Sequence, residues 1–421
     1  MTATPAPRDD GVVDVLIVGA GPAGLSAATA LKRLGVGSVV VVERETEAGG
    51  VPRHCGHPPF GMREFSRVLT GPAYARRLAA RALEAGVTLK LGATVVGIER
   101  GESLVATLTD DGGLFRIEAR RIVLATGVRE RTRAQRLASG DRPIGVLNTG
   151  ALQAYAYLQH LAPFRRPVIV GTELVALSSL LTCRSVGAKP VAMIEENAGP
   201  TVRRPFMALP RLLGVPVRYG AHIVDIRGKP RVERVSIRTA DGSVEDIACD
   251  GVLFTGRFIP ESSLARRIGL VVDPGTRGPS IDQFGRTSDP RVFAAGNLLR
   301  PVETAGWSWD EGRRVAGFVA DDLKGRLPSA DGATAIEPGR GVRYIVPQRL
   351  APGGGGLDRL QLRVSAAAKG RLVARRNGAA LASVALSAQP ERRVLFPAAG
   401  LAAGPGPVVV GVEPLSRVTG C

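Results

Sequence analysis

The sequence predicts an α/β chain: two three-layer units built on parallel sheet, the first split by the second, then a small all-β appendage. Three observations predict this. Short apolar runs end on glycine and open alanine- and leucine-rich helical stretches. That order of strand, glycine turn, helix and strand occurs twice. After residue 341 the chain alternates apolar and polar positions between glycine-rich turns. At 421 residues the chain is also too long for one ordinary domain of roughly 150 residues.

The elements follow in order. VDVLIVG (13–19) reads as a buried parallel strand, 22–34 as a helix ended by Gly35, and SVVVVE (38–43) as the next strand. A helix over 73–86 and an antiparallel meander over 87–120 precede a buried strand, RIVLATG (121–127). The second copy runs through a strand at 167–171, a helix at 173–187, a strand at 190–195, a meander at 217–249 and the strand GVLFTG (251–256). A late strand in 285–296 returns to the first unit, and 306–323 reads as a helix beginning near Trp309 or Asp310. The predicted boundaries are 12–150 with 257–325 for the first unit, 151–256 for the inner one, 326–341 for a linker and 342–421 for the appendage.

The strongest chemical signal is Gly19-Ala20-Gly21-Pro22-Ala23-Gly24, between a strand and a helix. The first glycine makes a tight turn, the second lets the backbone approach a pyrophosphate, and the third lets helix and strand pack closely. The phosphates then lie at the positive end of the helix dipole. Glu43 ends the second strand, where a carboxylate bonds both ribose hydroxyls. Both units therefore read as Rossmann-like dinucleotide-binding domains.

Further stretches stand in a specific order: VLIVGAGPAGLSAA (15–28), Glu43 with Gly49-Gly50, LATG (124–127), TGRFIP (255–260) and RVFAAGN (291–297). On these the chain resembles the pyridine nucleotide-disulfide oxidoreductase superfamily over roughly 12–325. The resemblance implies FAD as cofactor. It assigns Gly19, Gly21, Pro22, Ala23, Gly24 and Glu43 to the ADP half, and Gly296 and Asn297 to ribitol and pyrophosphate, with asparagine where the family has aspartate. Arg44, Gly50, Val51, Ala125, Thr126, Gly127 and Trp307 complete the cofactor set it implies. It also implies that the helix after the late strand aims its N-terminus at the flavin, with Trp307 and Trp309 at that entrance, either stacking or merely packing.

Within the superfamily, GGVPRHCGHPPFGM (49–62), TGVRERTR (126–133) and TGALQ (149–153) resemble the flavin subunits of heteromeric opine, proline and sarcosine dehydrogenases and of hydrogen cyanide synthase. Two departures from the superfamily bear on chemistry. The redox dithiol is absent, since Cys55 stands alone in its stretch and Cys183, mid-helix, reads as a small buried hydrophobe. The inner turn reads Gly171-Thr172-Glu173-Leu174-Val175-Ala176, and a carboxylate at its second position takes the space of a pyrophosphate and repels it. That disfavours NAD(P) in the inner domain, where Glu195 and Glu196 hold the ribose-carboxylate position.

His54, Cys55 and His57 are the candidate catalytic residues. A neutral imidazole near flavin takes the proton as hydride leaves a substrate, whereas the bland alternative has both histidines only bonding their loop. Arg53, Arg129 and Arg131 are candidates for a substrate carboxylate or phosphate, against a solvated charged turn.

The net charge of +18 comes with arginines spread along the chain instead of gathered in a basic run, which argues against a nucleic-acid partner. The four cysteines, Cys55, Cys183, Cys249 and Cys421, have no zinc or disulfide spacing, so no metal is expected. No apolar run reaches the ~20 residues that span a bilayer, and the polar N-terminal stretch lacks a signal-peptide core. The expectation is a cytoplasmic FAD-dependent dehydrogenase, or one component of a heteromeric one. It oxidises an amine, amino acid, opine or hydroxy acid and passes electrons to a partner subunit or carrier. An NAD(P)H-dependent flavin reductase and a non-catalytic flavin-bearing scaffold are the alternatives.

Overall fold

The computed structural model describes residues 8–414; residues 1–7 and 415–421, Cys421 among them, lie outside the described residues. Contacts divide the chain into two units. One holds Met1–Gly50, Ala75–Val128 and Pro260–Cys421, the other Val51–Tyr74 and Arg129–Ile259.

The first unit is built on a seven-stranded sheet. Arg8–Val18 lies parallel between Val39–Glu43 and Gly113–Leu124, Thr88–Leu91 extends the parallel set, and Val292–Ala294 pairs with Ile122–Leu124. The run of valines at 39–42 is wholly buried, as a strand covered on both faces requires. Two expectations change here. Thr88–Leu91 belongs to the parallel sheet, so the meander holds only 94–124. Gly113–Leu124 is one strand: alternating burial in its meander half gives way to the buried run that pairs in the parallel core, with no breaker between.

Helix Pro22–Arg33 packs on helix Ala305–Leu323. A β-carbon on Gly312 would stand 2.1 Å from the Ala23 carbonyl oxygen, so that glycine sets the closeness of the pair. The later helix begins four residues before Trp309, with Thr304 as its cap residue, so both tryptophans lie inside it. The cap makes no side-chain hydrogen bond, and the expected start near Trp309 or Asp310 falls four to five residues late.

The appendage pairs a five-stranded sheet with a three-stranded one around Ile336, Leu360, Leu362, Leu372, Phe396 and Val408. The stretch expected as a linker carries a strand, Thr334–Pro338, parallel to Val408–Val410, because Ile336 finds a buried place there. The appendage also shares the main core: Tyr344 and Val346 pack among the first unit's apolar side chains. Gln283 exchanges hydrogen bonds of 2.7 and 3.0 Å with the backbone of Ala351.

The second unit repeats the architecture. Its parallel sheet runs Val217–Tyr219, Ala192–Glu195, Pro167–Val170, Gly251–Phe254, Val146–Asn148, beside an antiparallel trio over 222–248. Helix Leu174–Ser185 buries Cys183 completely. The segments 51–74 and 129–150 fall in this unit, whereas the sequence predicts them in the first. Glycine contacts explain the earlier of the two: a β-carbon on Gly56 would lie 2.1 Å from Tyr157, and one on Gly71 2.3 Å from the Pro52 and Cys55 carbonyls.

Candidate functional site

In the first unit, Arg8–Val18, Val39–Glu43, Gly113–Leu124 and Val292–Ala294 all end at one edge of the sheet. Arg8–Val18 has neighbours on both sides there, which is where open parallel sheets bind ligands. The loops at this edge are tied to each other. Gly19 N–H donates to Val42 O (2.8 Å), Ala125 N–H to Val18 O (2.9 Å), Ala295 N–H to Leu124 O (3.0 Å) and Gly49 N–H to Ala20 O (2.8 Å).

The turn is shaped by glycines that no larger residue replaces. Gly19 sits at φ +107°, and its β-carbon would meet the Ala125 carbonyl oxygen at 2.6 Å. A β-carbon on Gly24 would fall 1.9 Å from the Gly19 carbonyl oxygen. Gly50 (φ +62°) approaches Gly21 closely, with its β-position 2.8 Å from the Gly21 Cα, while nothing lies within 4 Å of the β-position of Gly21 itself. Gly21 caps helix Pro22–Arg33 with no side chain in the way. An open, side-chain-free approach to a helix N-terminus fits a pyrophosphate. Glu43 is buried beside it and accepts from Ala20 N–H (2.9 Å) and Glu45 N–H (3.1 Å), leaving each carboxylate oxygen a second lone pair for a ribose hydroxyl. Ala23 carries no bulk because Gly296 and Gly312 both press on it. These residues fit the ADP half of FAD.

Other assignments are placed less simply. Thr126 donates to Glu261 O (2.7 Å), and Gly127 O accepts from Glu261 N–H (2.8 Å). Arg44 is solvent-exposed, beside Glu45. Val51 opens the 3-10 turn Val51–His54 of the other unit with its side chain turned largely to solvent. The Asn297 side chain is bonded within its own loop. Its amide donates to Glu303 O (3.0 Å) and accepts from Glu303 N–H (2.7 Å), closing the loop that leads to helix Ala305–Leu323. Trp307 carries the guanidinium of Arg393 on its ring, 3.5 Å from the centroid.

In the second unit, the 51–71 loop is held to helix Thr149–Leu158. The Cys55 thiol points to Val51 O and to Oε1 of buried Gln153, both at 3.4 Å. Burial, with Glu130 nearby, pushes the thiol up to about 12. A nucleophile needs a thiolate, and burial here holds the thiol protonated and donating. His57 Nδ1 lies 3.0 Å from Pro58 O. A carbonyl only accepts, so Nδ1 carries a proton and the second ring nitrogen, Nε2, is the one left to exchange a proton with a substrate. Arg53 and His54 are half-buried on the same 3-10 turn. Arg129 is exposed on strand Val128–Glu130, and Arg131 follows it with its backbone N–H on Arg257 O (3.3 Å).

Two neighbours of those arginines escape the sequence reading. Glu130 is buried and accepts from Gly150 N–H (2.8 Å) and Gly256 N–H (3.0 Å); burial raises its carboxyl above the usual range. Arg136 donates to Thr255 O (2.7 Å) and Gly256 O (2.9 Å) over the Phe254 ring, and burial lowers its guanidinium to about 10. With Val170, Glu196 and Arg257 it lines a pocket beyond the ends of the inner strands.

The inner glycine turn is filled from within. Glu173 caps helix Leu174–Ser185, and its carboxyl folds back against Gly171, Thr255 and Gly256. Burial raises it to about 7, with Glu195 and Glu130 pushing the same way. Glu195 is used up locally, accepting from Thr172 and Asn197. Cys55, Cys183 and Cys249 are free and buried, with no dithiol and no metal cluster among the described residues. No helix of the described residues is long and apolar enough to cross a membrane.

A family model described as pyridine nucleotide-disulphide oxidoreductase matches residues 13–312. The chlorobenzene dioxygenase ferredoxin reductase component of Cupriavidus sp. strain PS12 is 29% identical over 75% of this chain and 75% of its own. Hydrogen cyanide synthase subunit HcnB of Pseudomonas protegens is 26% identical over 67% of this chain and 65% of its own. One of the subunits of the opine oxidase of Agrobacterium tumefaciens is 25% identical over 75% and 64%. Among solved structures, T. acidophilum thioredoxin reductase superposes with TM-score 0.62 at 22% identity, covering 74% of this chain and 98% of that one. L-proline dehydrogenase from P. horikoshii superposes with TM-score 0.58 at 20% identity, over 76% and 57%.

Proposed function

The chain belongs to the pyridine nucleotide-disulphide oxidoreductase family of FAD-dependent oxidoreductases, and from that premise we propose that it is a dehydrogenase component. In this reading a small amine, amino acid, opine or hydroxy acid is oxidised by hydride transfer, and the electrons leave to a partner subunit or carrier. The observation that carries it is the Glu173 carboxyl lodged in the inner turn, where a pyridine nucleotide's pyrophosphate would have to lie. A chain that refuses NAD(P)H takes its electrons from another donor. The likeness to components of an opine oxidase and of a hydrogen cyanide synthase supports the same reading, as does the lack of a dithiol among the described residues.

FAD, when bound, supplies a two-electron acceptor. Gly19, Gly21, Pro22, Ala23, Gly24 and Glu43 hold its ADP half, and the loop from Ala125 to Gly127 with Gly296 shapes the rest of the seat. His57, through Nε2, takes the proton released as the substrate's carbon–nitrogen or carbon–oxygen bond is oxidised. Arg53, Arg129 and Arg131 receive a substrate carboxylate or phosphate, and His54 stands on the loop that carries His57. Cys55 positions that loop by bonding Gln153.

Anaerobic mixing tests the proposal. The purified, FAD-loaded chain should keep its colour with NADH or NADPH and bleach with one member of a panel of amines, amino acids, opines and hydroxy acids. Rapid bleaching by NADH or NADPH would overturn it in favour of a reductase, a second reading supported by likeness to a ferredoxin reductase component. A chain that bleaches with nothing, alone or with its genomic neighbours, would make it a scaffold.

A further inference from the structure

The loop from Gly296 to Thr304 and the first turn of helix Ala305–Leu323 are held by a buried charge network reaching into the appendage. Arg300, 2% exposed, donates to both oxygens of Glu311 (2.9 and 3.3 Å), and Glu311 also accepts from Gly296 N–H (2.8 Å). From the appendage, Arg363 donates to Glu303 (3.0 Å) and to Val302 O (2.9 Å), and Tyr344 donates to Pro301 O (2.9 Å). Arg393 stacks on Trp307 with its guanidinium also 3.8 Å from Glu303. Arg300, Arg363 and Arg393 thus meet Glu303 and Glu311, and Glu391 lies 3.9 Å from Arg363 as a third carboxylate. In the same turn Ser308 is buried with its hydroxyl unbonded, within 3.9 Å of the β-position of Gly296. An unbonded buried hydroxyl at a helix N-terminus implies a ligand with an acceptor or a negative charge beside it.

We infer that the β appendage is a working part of the flavin site: through Arg363 and Arg393 it fixes the 296–304 loop and places a cation on Trp307, which favours the reduced, negatively charged flavin. This rests on the FAD reading above. Arg363 and Arg393 are positioning residues, since each acts through Glu303 or Trp307. A cation on an indole is worth more when partly desolvated, and the Arg393 side chain is 13% exposed. The guanidinium stacked on Trp307 acts in the same direction as the helix dipole, toward stabilising an anion.

The test uses the full chain with FAD bound, and reads the flavin's midpoint potential against a reference dye together with tryptophan emission. Arg393→Met keeps the length and the packing but removes the charge. It should weaken binding of reduced flavin about tenfold more than oxidised flavin, a potential lower by ~30 mV for this two-electron couple. Arg393→Lys should recover at least half of that shift. Arg371→Ala, an exposed appendage change, should leave the potential in place. Tryptophan emission should change in both Arg393 variants, since the stacked guanidinium is lost in each. An Arg393→Met protein that melts like the parent and keeps its potential within twofold in relative affinity overturns the inference. If Arg393→Met does not fold, Arg393→Gln, which also removes the charge, decides in its place: unchanged emission and potential overturn it. A parent chain that never takes up FAD sinks the underlying reading, whereas a yellow parent with indifferent variants sinks only this one.

Discussion

Glu173 stands over Gly256: a β-carbon on Gly256 would lie 2.5 Å from Glu173 Oε1, and one on Gly171 2.5 Å from Oε2. The carboxyl therefore fills the inner turn as a substituent of the chain itself. Glu173→Gly should free that space and raise NAD(P)H affinity at least about tenfold, read by quenching of protein fluorescence on titration. Equal, weak affinity in parent and variant would mean that another feature closes the turn.

The same carboxyl makes stability depend on pH. Its folded value of about 7 lies above the ordinary 4.5, because burial disfavours the charge. Between these values the folded chain holds a proton that the unfolded chain has released. Stability is thus fully present below pH 4.5, falls as pH rises toward 7 and levels beyond it, a loss of about 3 kcal/mol from this group. Urea melts at several pH values should show the slope in the parent and lose most of it in Glu173→Gln.

Gly24→Ala drives a methyl group into the Gly19 carbonyl. The helix must back away from the strand, at about 1–3 kcal/mol and with the pyrophosphate seat displaced. The variant should purify folded by circular dichroism but nearly free of flavin absorbance.

Cys55→Ala should leave substrate turnover within about threefold of the parent, and the native thiol should alkylate at least roughly a hundredfold slower than in urea, because it stays protonated. His57→Gln, in contrast, should lower kcat/KM by about 10²–10⁴ if its Nε2 takes the proton. Stopped-flow bleaching by the substrate that the screen identifies is the measurement for both.

Glu311→Leu leaves Arg300 buried with one carboxylate fewer and strips Gly296 N–H of its acceptor. Breaking a buried pair from one side costs about 3–5 kcal/mol, which a shifted urea midpoint would report, together with loss of FAD.

Much of the first unit is legible in the sequence because its requirements are local. Gly19 must adopt φ +107° and Gly24 must admit a neighbouring carbonyl, and no other residue type satisfies them. What stays hidden depends on distant partners. Nothing near Asn297 announces that Glu303 will claim its amide. The Thr304 side chain makes no capping hydrogen bond at the start of helix Ala305–Leu323, and the sequence reading sets that start four or five residues late, near Trp309 or Asp310. Gly56 and Gly71 read as loop glycines until Tyr157 and the Pro52 carbonyl are seen against them. Arg393 and Trp307 carry no shared pattern that would join them.

The pairing of Gly312 with Ala23 has a consequence for synthesis. The opening helix waits for a partner encoded near residue 312, and its sheet waits for the strand at 292–294. The interrupting unit is already fully translated at Ile259. On the ribosome the inner unit can therefore mature first, while the N-terminal glycine turn emerges early and stays unfinished until the chain returns to it.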